Sequence, residues 1–362
     1  MFKLFLQIVT CNQWPKDRDY PPEDFDVVVP QHTDIYKQEL NDRHDLDIGP
    51  IRDFHIFSSS RMGAGPGKTE CQDTYAVHTK LTPSIYFFAV YDGHGARGKD
   101  VSVFVNDQFS NCMRKNANKI ERLIAKDAIT PFFNHTFQAI DNKLQDSRIN
   151  SSASGTCCNM ILISKEKCYI ANLGDSRAVL CRTNGQNIET IDLSTDHKPS
   201  RVDEKNRILE NGGIIEPIYY QGVPVGPERV WTHERDAGIA MTRAIGDVRG
   251  KKAGLISEPE VKEMDLQVGD RFIIMASDGL WDVMTSEEAV KFVVDYEEDG
   301  KPKANAAKAL VREGQKRWAK LEENEESPYR DDITVIVAYP EFHSQSTMAD
   351  SPLDSPTRSL VS

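Results

Sequence analysis

Apolar residues along this chain fall mostly into short runs of β-forming type. Ile85–Tyr91, Asn159–Ser164, Cys168–Leu173, Ala178–Arg182, Arg271–Ser277 and Ile333–Ala338 each predict a strand. Several runs are bounded by turn chemistry, at Asp92-Gly93, Gly174-Asp175, Asn184-Gly185 and Asp278-Gly279. Two stretches keep helical spacing instead. Ile120, Leu123 and Ile124, then Phe133, Phe137, Ile140 and Leu144, predict two helical segments with a break or kink at Pro131. Ala307, Leu310, Val311, Gly314 and Trp318 form a second stripe, read as core rather than as a cofactor-binding face. Neighbouring short strands predict antiparallel pairing, and helices in separate blocks predict outer layers. The expected class is α+β: two packed antiparallel sheets flanked by helices.

The same pattern divides the chain. Residues 1–50 show no period and read as an N-terminal extension. A folded domain is expected over 51–340. Within it, 214–238 is rich in Gly, Pro and charge, does not fit the strand pattern, and reads as a flap-like insertion near a site. Residues 341–362 carry Ser, Thr and Pro with little apolar content and read as a disordered tail. Its two Ser-Pro steps, Ser351-Pro352 and Ser355-Pro356, are candidate phosphorylation sites.

Composition narrows the function. The 362 residues carry 44 Lys+Arg against 56 Asp+Glu, a net charge of −12, which argues against a nucleic-acid binder or an anionic-membrane binder. No apolar run approaches the length of a membrane span. Seven cysteines without a C-x-x-C pair argue against a zinc site or a disulfide framework. They suit a reducing compartment, cytoplasm or nucleus, and a monomer is the default.

Candidate chemistry lies at the strand ends. Ile85–Tyr91 runs straight into Asp92-Gly93, and the apolar run ending at Ser277 runs into Asp278-Gly279. Each places an aspartate at the rim of a buried strand, with a glycine expected to let the backbone turn and leave its carbonyl open. Asp73, Asp175 and the Asp331-Asp332 pair stand in similar settings. Clustered carboxylates repel, and an all-oxygen shell selects hard cations, Mg²⁺ or Mn²⁺. Two such ions roughly 4 Å apart can share a hydroxide and polarise a phosphoryl group.

Eight strings carry a resemblance: QDTYAV (72–77), YDGHGARG (91–98), SGTCC (154–158), ANLGDSRAVL (171–180), DHKPS (196–200), MTRAIGD (241–247), SDGLWDV (277–283) and RDDITVIV (330–337). In this order and spacing the chain resembles the protein phosphatase 2C family of metal-dependent serine/threonine phosphatases. The resemblance implies a four-layer α-β-β-α sandwich with a metal cleft at one end, acting on phosphorylated proteins through a metal-bridged hydroxide. It implies that Asp92 bridges two ions, that the Gly93 carbonyl binds the second, and that Asp278 and Asp331 complete the shell of the first. Asp73 would position metal waters, and Asp175 and Asp282, with Asp278, match a weaker third site. His94 would be the general acid, the alternative being a hydrogen-bonding residue behind the metals.

The chain departs from the family pattern at three places, one being Asp332, where Asn is common. Gln72 stands where many members have Glu, and the phosphate-binding arginine falls on Lys68, with Arg61 as a second candidate. Lysine binds phosphate as a point charge, without the bidentate fork. A catalytically dead scaffold and a small-phosphoester hydrolase are the competing readings. The first should have lost metal carboxylates, yet Asp92, Asp278 and Asp331 are all present.

Overall fold

The computed structural model describes residues 51–65, 68–165, 167–185, 187–220, 222–236, 238–323 and 329–342. The expected extension over 1–50 and the Ser-Pro tail lie outside these residues. Two antiparallel sheets form the centre. One is ordered β1 (Ile51–Arg61), β14 (Ile333–Phe342), β13 (Asp270–Ala276), β6 (Arg177–Asn184), β7 (Asn187–Asp192). The other is ordered β12 (Glu260–Asp265), β5 (Lys167–Leu173), β4 (Ser154–Ser164), β3 (Ile85–Gly95), β2 (Thr74–Thr82), with the short β11 (Ile245–Gly246) paired to the start of β4.

Alternation along the strands builds the layers. On β3, Tyr86, Phe88 and Val90 point to one side and pack with Ile273, Met275, Ile336 and Ala338 of the facing sheet. Phe87, Ala89 and Tyr91 point to the other side, against Val101, Val105, Phe109 and Met113 of α1 (Gly98–Ala125) and Phe133, Phe137 and Leu144 of α2 (Ile129–Gln145). The first sheet is covered in the same way by α6 (Ser286–Glu298) and α7 (Ala306–Glu323). This is the expected α-β-β-α sandwich. Because both sheets are buried on both faces, their central strands are continuous apolar runs.

Three details differ from the sequence reading. The break between α1 and α2 falls at 126–128, three residues before Pro131, which is the third residue of α2. There its missing N–H is one the first turn leaves unbonded in any case, so it neither breaks nor kinks the helix. The segment 214–238 is β structure: β8 (Ile214–Tyr220) and β9 (Val223–Trp231) form a hairpin, with β10 (Gly238–Ile239) on the far side of β9. Pro217, Pro224, Gly226 and Pro227 hide its alternation, and the β8–β9 register shifts between Glu216 and Ile218, at Pro217. Last, Asp92-Gly93 is no turn. β3 continues through it to Gly95, paired residue by residue with β4.

Candidate metal centre

The acids converge at one end of the sandwich. Asp92 lies on β3 opposite Cys157, and Thr156 Oγ1 donates to its carbonyl at 2.9 Å. Asp278 opens α5 (Asp278–Trp281) directly after β13, and its backbone N–H points at Asp92 Oδ2, 3.4 Å away. Asp73, buried ahead of β2, accepts from Ser277 Oγ at 2.8 Å through Oδ2, while its Oδ1 has no partner. Asp175, fully buried between β5 and β6, accepts from Cys157 Sγ at 3.2 Å. Asp331 and Asp332 precede β14.

The glycines serve close approach rather than turning. A Cβ on Gly93 would sit 2.5 Å from Gly98 O and 2.6 Å from Gln72 O. One on Gly279 would overlap the Asp332 carbonyl. The Gly279 carbonyl, expected open, accepts from Trp318 Nε1 at 2.7 Å. Gly93 lets β3 touch the start of α1 and the loop before β2, and Gly279 lets α5 touch the start of β14, both at backbone distance.

That crowding shows in the protonation equilibria. Burial, then Asp278, Asp73 and Asp331, push the Asp92 carboxyl well above its ordinary range. Burial, then Asp175, Asp331 and Asp282, do the same to Asp278. Burial and Asp332 push Asp73 up to about 7. Among the described residues no three His, Cys, Asp or Glu side chains close into a ready-made cage. The donor set is nevertheless all oxygen, includes a buried Asp73 oxygen with no hydrogen-bond partner, and is short of positive charge. In kind it fits a hard divalent cation, which would draw the carboxylates inward.

Two lysines hold part of this charge. The Lys68 ammonium meets Tyr329 Oη at 2.8 Å, Asp331 Oδ1 at 3.1 Å and Asp332 Oδ2 at 3.1 Å, so its three donors are engaged and its side chain is only 8% exposed. This geometry makes Lys68, the expected phosphate-binding residue, a tether for the two acids. Asp332 also accepts from Gly63 N–H at 2.7 Å and Gln72 N–H at 2.8 Å, fixing the loop between β1 and β2. Replacing Lys68 by Met should destabilise the protein by about 2 kcal/mol in chemical denaturation, because it strips a buried carboxylate of a charged partner. Arg61 ends β1 opposite Ile333. Lys198 stands between Asp175 Oδ2, at 3.6 Å, and Asp282 Oδ1, at 3.1 Å. Gln72 reaches Gly95 O at 2.8 Å through its amide.

His94 Nε2 lies 2.6 Å from Oδ2 of the buried Asp247. Burial disfavours the imidazolium, but Asp247 and, behind it, Asp175 together outweigh it, so His94 titrates above the ordinary histidine value. From the hairpin, Arg229 lies in the field of Asp175 and Asp278, with burial lowering its pKa. Sequence reasoning missed Asp247, Lys198 and Ser277 as site residues, although all three lie within the quoted strings MTRAIGD, DHKPS and SDGLWDV.

Comparison with known proteins gives the same assignment. The family model described as Protein phosphatase 2C matches residues 52–320. The chain belongs to the protein phosphatase 2C family. A relative in Arabidopsis thaliana, "Probable protein phosphatase 2C 35", is 31% identical over 286 residues, 74% of this chain and 78% of the relative. The "Integrin-linked kinase-associated serine/threonine phosphatase 2C" of Bos taurus is 33% identical over 67% of this chain and 61% of its own length. The fold matches a crystal structure of serine-threonine phosphatase 2C from Toxoplasma gondii with a TM-score of 0.66, at 22% identity, over 82% of this chain and 98% of that one. Family members are generally metal-dependent.

Proposed function

We propose that this protein hydrolyses phosphoserine and phosphothreonine in other proteins, using divalent cations held by the acids at the sheet ends. The observation that carries the reading is the convergence of Asp73, Asp92, Asp278 and Asp331, where burial and then mutual repulsion raise the pKa of the first three. Asp92 and the Gly93 carbonyl, with Asp278 and Asp331, would hold two Mg²⁺ or Mn²⁺ ions, Asp73 acting through their waters. Asp175 and Asp282 would offer a weaker third position, where Lys198 competes for the same oxygens. When bound, such ions supply positive charge at the phosphoryl oxygens and make a water acidic enough to attack phosphorus.

The chain's own residues do the rest. His94 gives a proton to the departing seryl or threonyl oxygen, a poor leaving group that benefits strongly from protonation. Arg229, reaching in from the hairpin, is a further cation for phosphate beside Lys68 and Arg61. Exposed Tyr219, Val223 and Val225 near the hairpin tip offer apolar contact to a polypeptide. The proposal takes the enzyme as a monomer of the cytoplasm or nucleus.

The test is phosphate release from a phosphothreonine peptide with Mn²⁺ or Mg²⁺, with and without EDTA. Metal-dependent release is expected; its absence would favour a binding scaffold. His94→Ala should lower turnover of the peptide about 100-fold. The loss on p-nitrophenyl phosphate, whose leaving group needs little protonation, should stay below about fivefold. Equal losses on both substrates would remove the general-acid role.

A further inference from the structure

The pairing of His94 with Asp247 is built by three separate segments. His94 comes from β3, and Asp247 follows β11, 153 residues later in the chain. Between them runs β4, where Gly155 pairs with both His94 and Gly246. A Cβ on Gly155 would overlap Asp247 Oδ2 and come within 2.8 Å of His94 Nε2, so the absence of a side chain there is what lets the two groups meet. Asp247 itself sits in the left-handed region, φ 46° and ψ 49°, a conformation that costs a non-glycine residue free energy. Its backbone N–H is fixed on Ser154 O at 3.0 Å, which sets the direction of the side chain. Asp247 is 1% exposed, and the Nδ1 of His94 is buried without a partner.

We infer that Asp247 is a positioning residue for the reaction: its carboxylate holds the Nε2–H of His94, fixing the ring's orientation and tautomer and leaving Nδ1 as the atom that delivers the proton. This rests on the phosphatase reading above. In the transfer, the Nδ1–H bond breaks as the ester P–O bond breaks, and the departing seryl or threonyl oxygen takes the proton. The ring is left neutral with its Nε2–H still on Asp247. A carboxylate hydrogen-bonded behind an imidazole orients the ring and excludes the wrong tautomer. A purely structural Asp247 would support the β4–β11 corner and nothing more. The left-handed backbone can be kept while the carboxylate is removed, since Asn and Gly both tolerate that region.

The experiment compares wild type, Asp247→Asn, Asp247→Gly, His94→Ala and the His94→Ala/Asp247→Asn double variant, with thermal midpoints measured in parallel. Both Asp247 variants should lose about 10- to 100-fold in kcat on the phosphothreonine peptide at unchanged KM. On p-nitrophenyl phosphate they should lose less than about threefold. The double variant should be no slower than His94→Ala alone, because the two residues act as one unit. Equal losses on both substrates, or losses in the double variant that multiply, would overturn the positioning role and leave the phosphatase reading intact. A wild-type protein without metal-dependent activity would overturn both.

Discussion

Asp92→Asn should stabilise the metal-free protein while abolishing its metal response. Asp92 is half-buried beside Asp278, Asp73 and Asp331, and desolvation and then their charges hold its carboxyl well above the ordinary value of 3.8. A carboxyl with a raised folded-state pKa contributes its stability below the unfolded value and loses it as pH rises through the folded value. For Asp73 that window runs from 3.8 to about 7; Asp92 and Asp278 extend it upward. The EDTA-treated wild type should therefore melt at progressively lower temperature between pH 5 and pH 8. Millimolar Mn²⁺ should raise the melting temperature strongly at pH 8 and little at pH 5. In Asp92→Asn, the metal-free midpoint at pH 8 should exceed that of wild type, the Mn²⁺ increment should disappear, and peptide hydrolysis should fall about 1000-fold or more. Melting temperatures at two pH values, with and without Mn²⁺, check all of this. A variant that keeps the full Mn²⁺ increment would remove Asp92 from the metal shell.

Gly279→Ala should be the most damaging small substitution in the fold. The added methyl would overlap the backbone carbonyl of Asp332 and stand 3.3 Å from Asp331 Cβ. Neither obstacle is the mobile end of a side chain. Relief requires α5 to move away from the start of β14, which parts Asp278 from Asp331 and strains the Trp318 Nε1 bond to Gly279 O. A loss of about 3 kcal/mol or more is expected in urea denaturation, together with weakened Mn²⁺ binding. The contrasting case is Gly222→Ala. It has a positive φ of 80° but nothing within 4 Å of the new methyl, so it should cost only about 1 kcal/mol and leave Mn²⁺ binding unchanged. If the two variants were equally stable, steric contact at Gly279 would not be what sets the acid cluster.

Legibility in the sequence followed burial. β3, β4, β13 and β14 could be read because they are buried on both faces and their residues are continuously apolar. β1, β7 and β12 could not. β1 alternates irregularly between exposed and buried residues along an edge. β7 and β12 are edge strands carrying exposed polar residues such as Glu189 and Lys262. The first half of α1 went unread although Val101, Val105, Phe109 and Met113 recur every fourth residue, because Val103 and Phe104 blur the stripe and Gly98 opens the helix. The hairpin at β8 and β9 was unreadable for another reason: its prolines and glycines mask the alternation that pairing still imposes.

The sequence by itself determined the sandwich, because strands buried on both faces are continuously apolar, and the family, because its eight strings stand in order. Only the tertiary structure decided what those groups touch. It put Lys68 on Asp331 and Asp332, some 260 residues distant, where its ammonium tethers both acids. It set Asp247 behind His94 and used Gly155 as the gap between them. It also showed that the glycines beside Asp92 and Asp278 are required for contact between backbones, not for turning. The physical reason is the same in each case. A side chain's residue type fixes what it can donate or accept, but which partner it takes depends on which distant segments the two sheets bring within about 3 Å.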